Sequence, residues 1–157
     1  MIIINDFPLN AEYFRAVDSF PHYEVSTDGR VRNSKTGRIL KALANKPTGH
    51  LHIGLVNDKQ QSFMYVHMLV ATAFCNNENN YNVVDHIDRN PSNNNYQNLR
   101  WCTMSENSRN KSVHNTNTSG YPGVFYDRNK DAWLACWFGN IKTRHRKCFS
   151  VKIHGNE

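Results

Sequence analysis

Turn-forming residues interrupt this chain so often that long regular elements cannot form, and this spacing limits the possible folds more than any other feature of the sequence. Within 157 residues, the one clear helical period runs over residues 66–74. There Val66, Leu69, Val70, Ala73 and Phe74 recur with the three-and-four spacing of an amphipathic helix. The other ordered stretches are short β-rich runs, so two or three minimal modules in a row are expected rather than one large core.

The first module is expected over residues 13–65. The runs 23–32, 37–40 and 51–56 are rich in β-forming residues, and Asp28 followed by Gly29 signals a hairpin, so a small antiparallel sheet is predicted. Its loops gather Arg30, Arg32, Lys35, Arg38 and Lys41 with almost no acid between them, a density suited to phosphate contacts. The second module, 66–112, starts with the short helix and continues through two strand candidates, 81–87 and 99–102, joined across an Asn-rich loop. Thr103 and Glu106 then have the spacing of a capping box, which predicts a helix from Thr103 to about residue 111. Residues 113–119 are polar and read as a linker. Residues 120–157 read as a last β unit, with Trp133, Ala135 and Trp137 alternating along one strand. The fold class expected from these elements is α+β.

The formal charge of +6 is unevenly placed. Nine basic and nine acidic residues balance before Arg100, whereas ten basic residues face four acidic ones from Arg100 onward. A local basic excess attracts polyanions, which makes nucleic acid the first partner class to consider. The four cysteines, Cys75, Cys102, Cys136 and Cys148, form no CxxC pair, so they read as reduced, mostly buried thiols. The eight histidines leave a mixed Cys/His zinc site assembled in space as the alternative. No apolar run approaches the roughly 20 residues of a membrane span, and the first residues lack the basic and long apolar regions of a signal peptide. A cytoplasmic location without membrane contact is therefore expected.

Hydrolysing a phosphodiester requires a nucleophilic water and stabilisation of charge on the phosphate, which one cation and one positioned base can supply. Asp85 offers a hard anionic oxygen and Asn107 a neutral carbonyl oxygen from the first turn of the second helix. Both suit Mg2+ or Mn2+ better than zinc. His86 is the candidate general base because imidazole titrates near neutral pH. Asn98 is expected to hold its ring or its loop. Neighbouring strand residues point to opposite faces, so a bend near Asp88, Asn90 and Pro91 is expected to bring Asp85 and His86 to one site. His67 reads as a packing or capping residue rather than a ligand, and Trp101 as core.

Val83, Val84, Asp85 and His86, then Asn93 and Asn94, then Asn98, Leu99, Arg100 and Trp101, then Glu106 and Asn107, together resemble the HNH nuclease family in its phage and intron-encoded homing branch. The resemblance implies a ββα-metal core with His86 as general base, Asn98 orienting its loop, and Asn107 as metal ligand beside Asp85. The stretch from Tyr23 to Arg32, with the helix at Val66, is similar to the DNA-recognition module that precedes such cores. The tail, from Gly120 to Phe149, resembles the three-stranded sheet of an Apetala-type domain without its usual helix. The resemblance implies double-stranded DNA as partner, with no small-molecule cofactor. Phosphate contacts are expected from the N-terminal cations and from Arg100, Arg109, Arg144, Arg146 and Lys147. One site per chain implies a nick from a monomer and a double-strand break only from a dimer or two visits. The alternative is a DNA-binding protein that keeps the nuclease scaffold and acts by occupancy.

Overall fold

The computed structural model describes residues 11–110, 117–138 and 144–150, which belong to two compact units, 1–111 and 112–157. Both are built mostly from strands, so the α+β class stands. The linker expected over 113–119 falls largely outside the described residues. Among the described residues, no helix is long and apolar enough to cross a membrane.

In the first unit, β1 (Phe14–Val17), β2 (Phe20–Ser26) and β3 (Val31–Asn33) form one antiparallel sheet. A second contains β4 (Leu43–Ala44), β5 (Leu51–Asn57) and β6 (Gln60–Tyr65). Two three-stranded sheets therefore replace the single sheet expected. The strand β6 escapes sequence reading because its first residues, Gln60, Gln61 and Ser62, are polar and exposed. It returns from β5 through Asp58 and Lys59, both at positive φ (48° and 65°). That is the backbone of a tight hairpin turn, which usually announces itself by Asn-Gly or Asp-Gly.

Strand β6 passes directly into helix α1 (Val66–Phe74). Val66, Val70, Ala71 and Phe74 are fully buried, against Val25 and Val31 of the first sheet, Ile53 and Leu55 of the second, and Val84 and Leu99 beyond. The two modules expected apart thus share one core over residues 13–110. A three-stranded sheet has one apolar face and cannot bury it alone. The end of α1 is held by Arg15, whose Nη1 donates to the Ala73 carbonyl at 2.5 Å and whose guanidinium lies over the Phe74 ring. Trp101 Nε1 donates to the Ala71 carbonyl at 3.3 Å, which fits its predicted core role.

Strands β7 (Val83–His86) and β8 (Leu99–Cys102) form an antiparallel pair, followed by α2 (Met104–Arg109). The capping box is complete: Thr103 Oγ1 accepts from the Glu106 amide, and the Glu106 carboxylate accepts from the Thr103 amide. A six-residue helix is far too short to persist on its own, so this cap and its packing on β7 define it.

The loop between β7 and β8 leans on the β2–β3 turn. The Tyr96 amide donates to the Thr27 carbonyl and Asn95 Nδ2 to Asp28 Oδ1, both at 2.8 Å. Gly29 sits at φ 82°, and a Cβ there would lie 2.7 Å from Asn94 Cβ.

The second unit is an antiparallel sheet in the order β11 (Arg144–Ser150), β10 (Ala132–Phe138), β9 (Val124–Asp127). Ala132 and Leu134 are buried within it, and His145 stacks on Trp137 across β10 and β11. Arg144, Arg146 and Lys147 are exposed along β11.

Two glycine substitutions test the brace between the β2–β3 turn and the Asn-rich loop. Gly37, at φ 70°, would place a Cβ in open space, so Gly37→Ala is expected to cost about 1–2 kcal/mol from the left-handed backbone alone. Gly29→Ala adds the collision with Asn94 and is expected to cost about 1–3 kcal/mol more. Urea denaturation of both variants checks the difference, and equal losses would refute the brace.

Candidate active site

Asp85 and His86 are the last two residues of β7, and each side chain is 5% exposed or close to it as a residue. A buried carboxylate is costly unless charge and hydrogen bonds compensate it. Asp85 has both. Arg100 stands directly opposite on β8, and its Nε and Nη2 donate to Asp85 Oδ2 at 3.0 and 2.7 Å. Asn110, the residue that ends α2, donates from Nδ2 to Oδ1 at 2.9 Å and to Oδ2 at 3.0 Å. The same amide lies 2.8 Å from the His86 carbonyl oxygen, so one side chain ties the two candidate residues together.

His86 faces other neighbours. Its Nε2 lies 3.2 Å from Asn94 Oδ1. Asn94 Nδ2 donates to the Ser92 carbonyl, which turns Oδ1 toward the histidine. An oxygen acceptor at that distance requires the proton on Nε2, which leaves the Nδ1 lone pair as the basic position. Around this ring lie His67, with centroids 5.1 Å apart, and His50, at 5.4 Å; His67 and His50 are themselves 4.9 Å apart. Tyr65 stacks on His67.

Asn98 does not touch the His86 ring. Its Nδ2 donates to Asp88 Oδ1 and to the Asn93 carbonyl, both at 2.9 Å, and its Oδ1 accepts from the Asp88 amide. It therefore closes the loop that carries Asn94. Hydrogen bonds from the Asn90 backbone, then from Asn93 and Asn98, hold the Asp88 carboxyl below its ordinary pKa. Among the described residues the Asn107 side chain makes no hydrogen bond to Asp85. Asn110, one helical turn further and on the same face, takes that place, and no hydrogen bond among the described residues engages the Asn107 carboxamide.

Asp85 and Asn107 carry side-chain oxygens of the kind that fit Mg2+ or Mn2+, whereas Asn110 turns its Nδ2 to Asp85 and its Oδ1 to Arg89. Among the described residues no group of three or more His, Cys, Asp or Glu side chains is arranged to hold a metal. Of the four thiols expected to be mostly buried, Cys102 is buried, Cys75 and Cys136 are half-buried and Cys148 is exposed, and burial pushes the Cys75 thiol up to about 11.

The basic candidates divide. Lys35, Arg38, Lys41 and Arg109 are exposed. Arg30 is paired with Glu12 and Arg32 with Glu24, acids that lie elsewhere in the sequence and so went unseen in a reading of the loop alone. Arg100, expected on phosphate, is committed to Asp85 because the hairpin register sets the two opposite each other. Asn94, Asn110 and His50 are absent from the sequence-derived site. Asn110 carried one usable signal, its position three residues after Asn107.

Compared with known proteins, residues 64–109 match the HNH endonuclease family and residues 12–56 the NUMOD4 motif. The hairpin-helix segment is thus an HNH endonuclease core over residues 64–109, with a NUMOD4 motif ahead of it over residues 12–56. It is homologous to DNA endonuclease I-HmuI of Bacillus phage SP01, at 40% identity over 60% of this chain and 54% of that protein. An uncharacterised HNH endonuclease of Acanthamoeba polyphaga mimivirus is 40% identical over 57% of this chain and 26% of its own length. The chain thus spans from about a quarter to about half the length of these curated relatives. The solved structure of DNA binding and cleavage by the HNH homing endonuclease I-HmuI superposes with a TM-score of 0.60 at 28% identity, covering 89% of this chain and 79% of that one.

The histidine cluster has a measurable consequence. Burial, then the neighbouring charges of His86 and His50, push His67 down from 6.5 to about 4. The unfolded chain therefore binds a proton near 6.5 that the folded chain refuses until about 4, so stability falls as pH drops through that window. His67→Phe keeps a ring and removes the titration. Urea midpoints at neutral and acid pH are expected to separate less in this variant than in the wild type.

Proposed function

We propose that this chain is a metal-dependent DNA endonuclease of the homing type, hydrolysing one phosphodiester per active site. The observation that carries the reading is the pairing of a buried carboxylate and a buried imidazole at the end of β7, each fixed by its own hydrogen bonds: Asp85 by Arg100 and Asn110, and His86 by Asn94.

His86 is the general base. With Nε2 engaged by Asn94, its Nδ1 accepts the proton of the attacking water, while Asn98 holds the supporting loop through Asp88 and Asn93. His67, kept neutral by burial, packs against the base without adding a competing charge. Asp85 and the carboxamide of Asn107 would hold Mg2+ or Mn2+ across β7 and α2, the ββα-metal arrangement. A divalent cation bound there supplies stabilisation of the charge developing on the phosphate and its leaving oxygen. Lys35, Arg38, Lys41 and Arg109 are proposed to grip backbone phosphates of a DNA duplex, and Arg144, Arg146 and Lys147 to do so from the second unit.

Supercoiled plasmid incubated with Mg2+ is expected to be nicked by the wild type and spared in the presence of a chelator. His86→Ala is expected to slow nicking by about 100-fold to 10,000-fold with duplex binding retained. Asp85→Ala is expected to lose the metal response. Retarded DNA with no nick in any metal would instead establish a protein that acts by occupancy.

A further inference from the structure

The Asp85 carboxylate receives four hydrogen bonds, two from Arg100 and two from Asn110, before any metal is considered. Each oxygen of an ionised carboxylate offers about two lone-pair positions, and Oδ2 already receives three of these contacts, so a cation that takes Oδ2 must displace a donor. The two donors differ in how easily they can leave. Asn110 sits on a short stem at the end of α2 and is anchored a second time on the His86 carbonyl. Arg100 has a long flexible side chain that is 47% exposed, against 6% for the Asp85 side chain. It also lines an open cleft of about 370 Å3 together with Arg109, Glu106 and Asn110.

We propose that Arg100 is a built-in stand-in for the catalytic cation: it holds Asp85 charged and in place until a divalent metal arrives, then yields the carboxylate and turns into the cleft to meet the DNA phosphate. The inference rests on the metal-dependent nuclease reading. It follows from charge and geometry. An unpaired buried carboxylate would be costly, so a protein that waits for its metal must neutralise Asp85 by another cation, and Arg100 is the one placed opposite it in the hairpin register. A guanidinium can trade one oxyanion for another because carboxylate and phosphate present the same forked acceptor geometry. As a positioning residue with two successive partners, Arg100 opposes metal binding and then assists cleavage.

Those two effects have opposite signs, which a purely structural role would not produce. Mn2+ titrations of the DNA-free protein, followed by the paramagnetic resonance of free Mn2+, are expected to show Arg100→Gln binding about tenfold more tightly than the wild type. Plasmid nicking by the same variant at saturating Mn2+ is expected to be about tenfold slower. Arg100→Lys keeps the charge but not the fork, protects the fold if the neutral variant melts, and is expected to bind Mn2+ with intermediate affinity. If both variants bind Mn2+ no more tightly than a wild type that binds and nicks, the stand-in role is overturned and the nuclease reading survives. If the wild type neither binds Mn2+ nor nicks DNA, both fall together.

Discussion

Burial of helix α1 is the constraint on which the first unit depends. Each neighbouring sheet has three strands, the β7–β8 hairpin has two, and none can desolvate an apolar face by itself. Val66, Val70 and Phe74 give them a common surface, and the helix can serve several partners because apolar residues cover more of it than one narrow stripe. At about 25 cal/mol per Å2 of apolar surface removed from water, side chains of this size dominate the stability of so small a core. Arg15 and Trp101, which meet the last carbonyl groups of the helix, fix where it stops. The strand that carries Asp85 and His86 is positioned by the same packing.

Polar organisation is then layered on that core. Asp85 and His86 are adjacent, yet they are served by different networks: an ion pair and an amide for the carboxylate, an amide and two imidazoles for the base. Asn110 links the two sides by reaching both the Asp85 carboxylate and the His86 backbone. The loop from Asp88 to Asn98 is assembled largely from Asx side chains that accept nearby amide protons, which explains why a stretch so poor in apolar residues is ordered.

What could be read from the sequence was local. The period from Val66 to Phe74 specified α1, and Thr103 with Glu106 specified the start of α2, because both signals lie within a few residues and act through the backbone. The β2–β3 turn at Asp28 and Gly29 was legible for the same reason. Strand β6 was not, since polar residues lead into it and its turn uses Lys59 in a conformation that glycine or asparagine usually marks. Within the candidate site, Asp85 and His86 stood out as residue types suited to the chemistry, but their partners depend on register and on long-range packing. Nothing local distinguishes Asn94 from its neighbours Asn93 and Asn95, or tells that Arg100 faces a carboxylate rather than solvent. His50 lies 36 residues from His86 in the numbering, and only the approach of β5 to α1 brings them together.

The uninterrupted passage of β6 into α1 bears on how such proteins could be rearranged. The two segments that match separate family models, 12–56 and 64–109, look like interchangeable cassettes in the sequence. In three dimensions the seam between them runs through the interior. Recombination near residue 65 would hand each parent's half an ill-fitting complement, and the progeny would have to re-evolve interior shape before inheriting any new target preference.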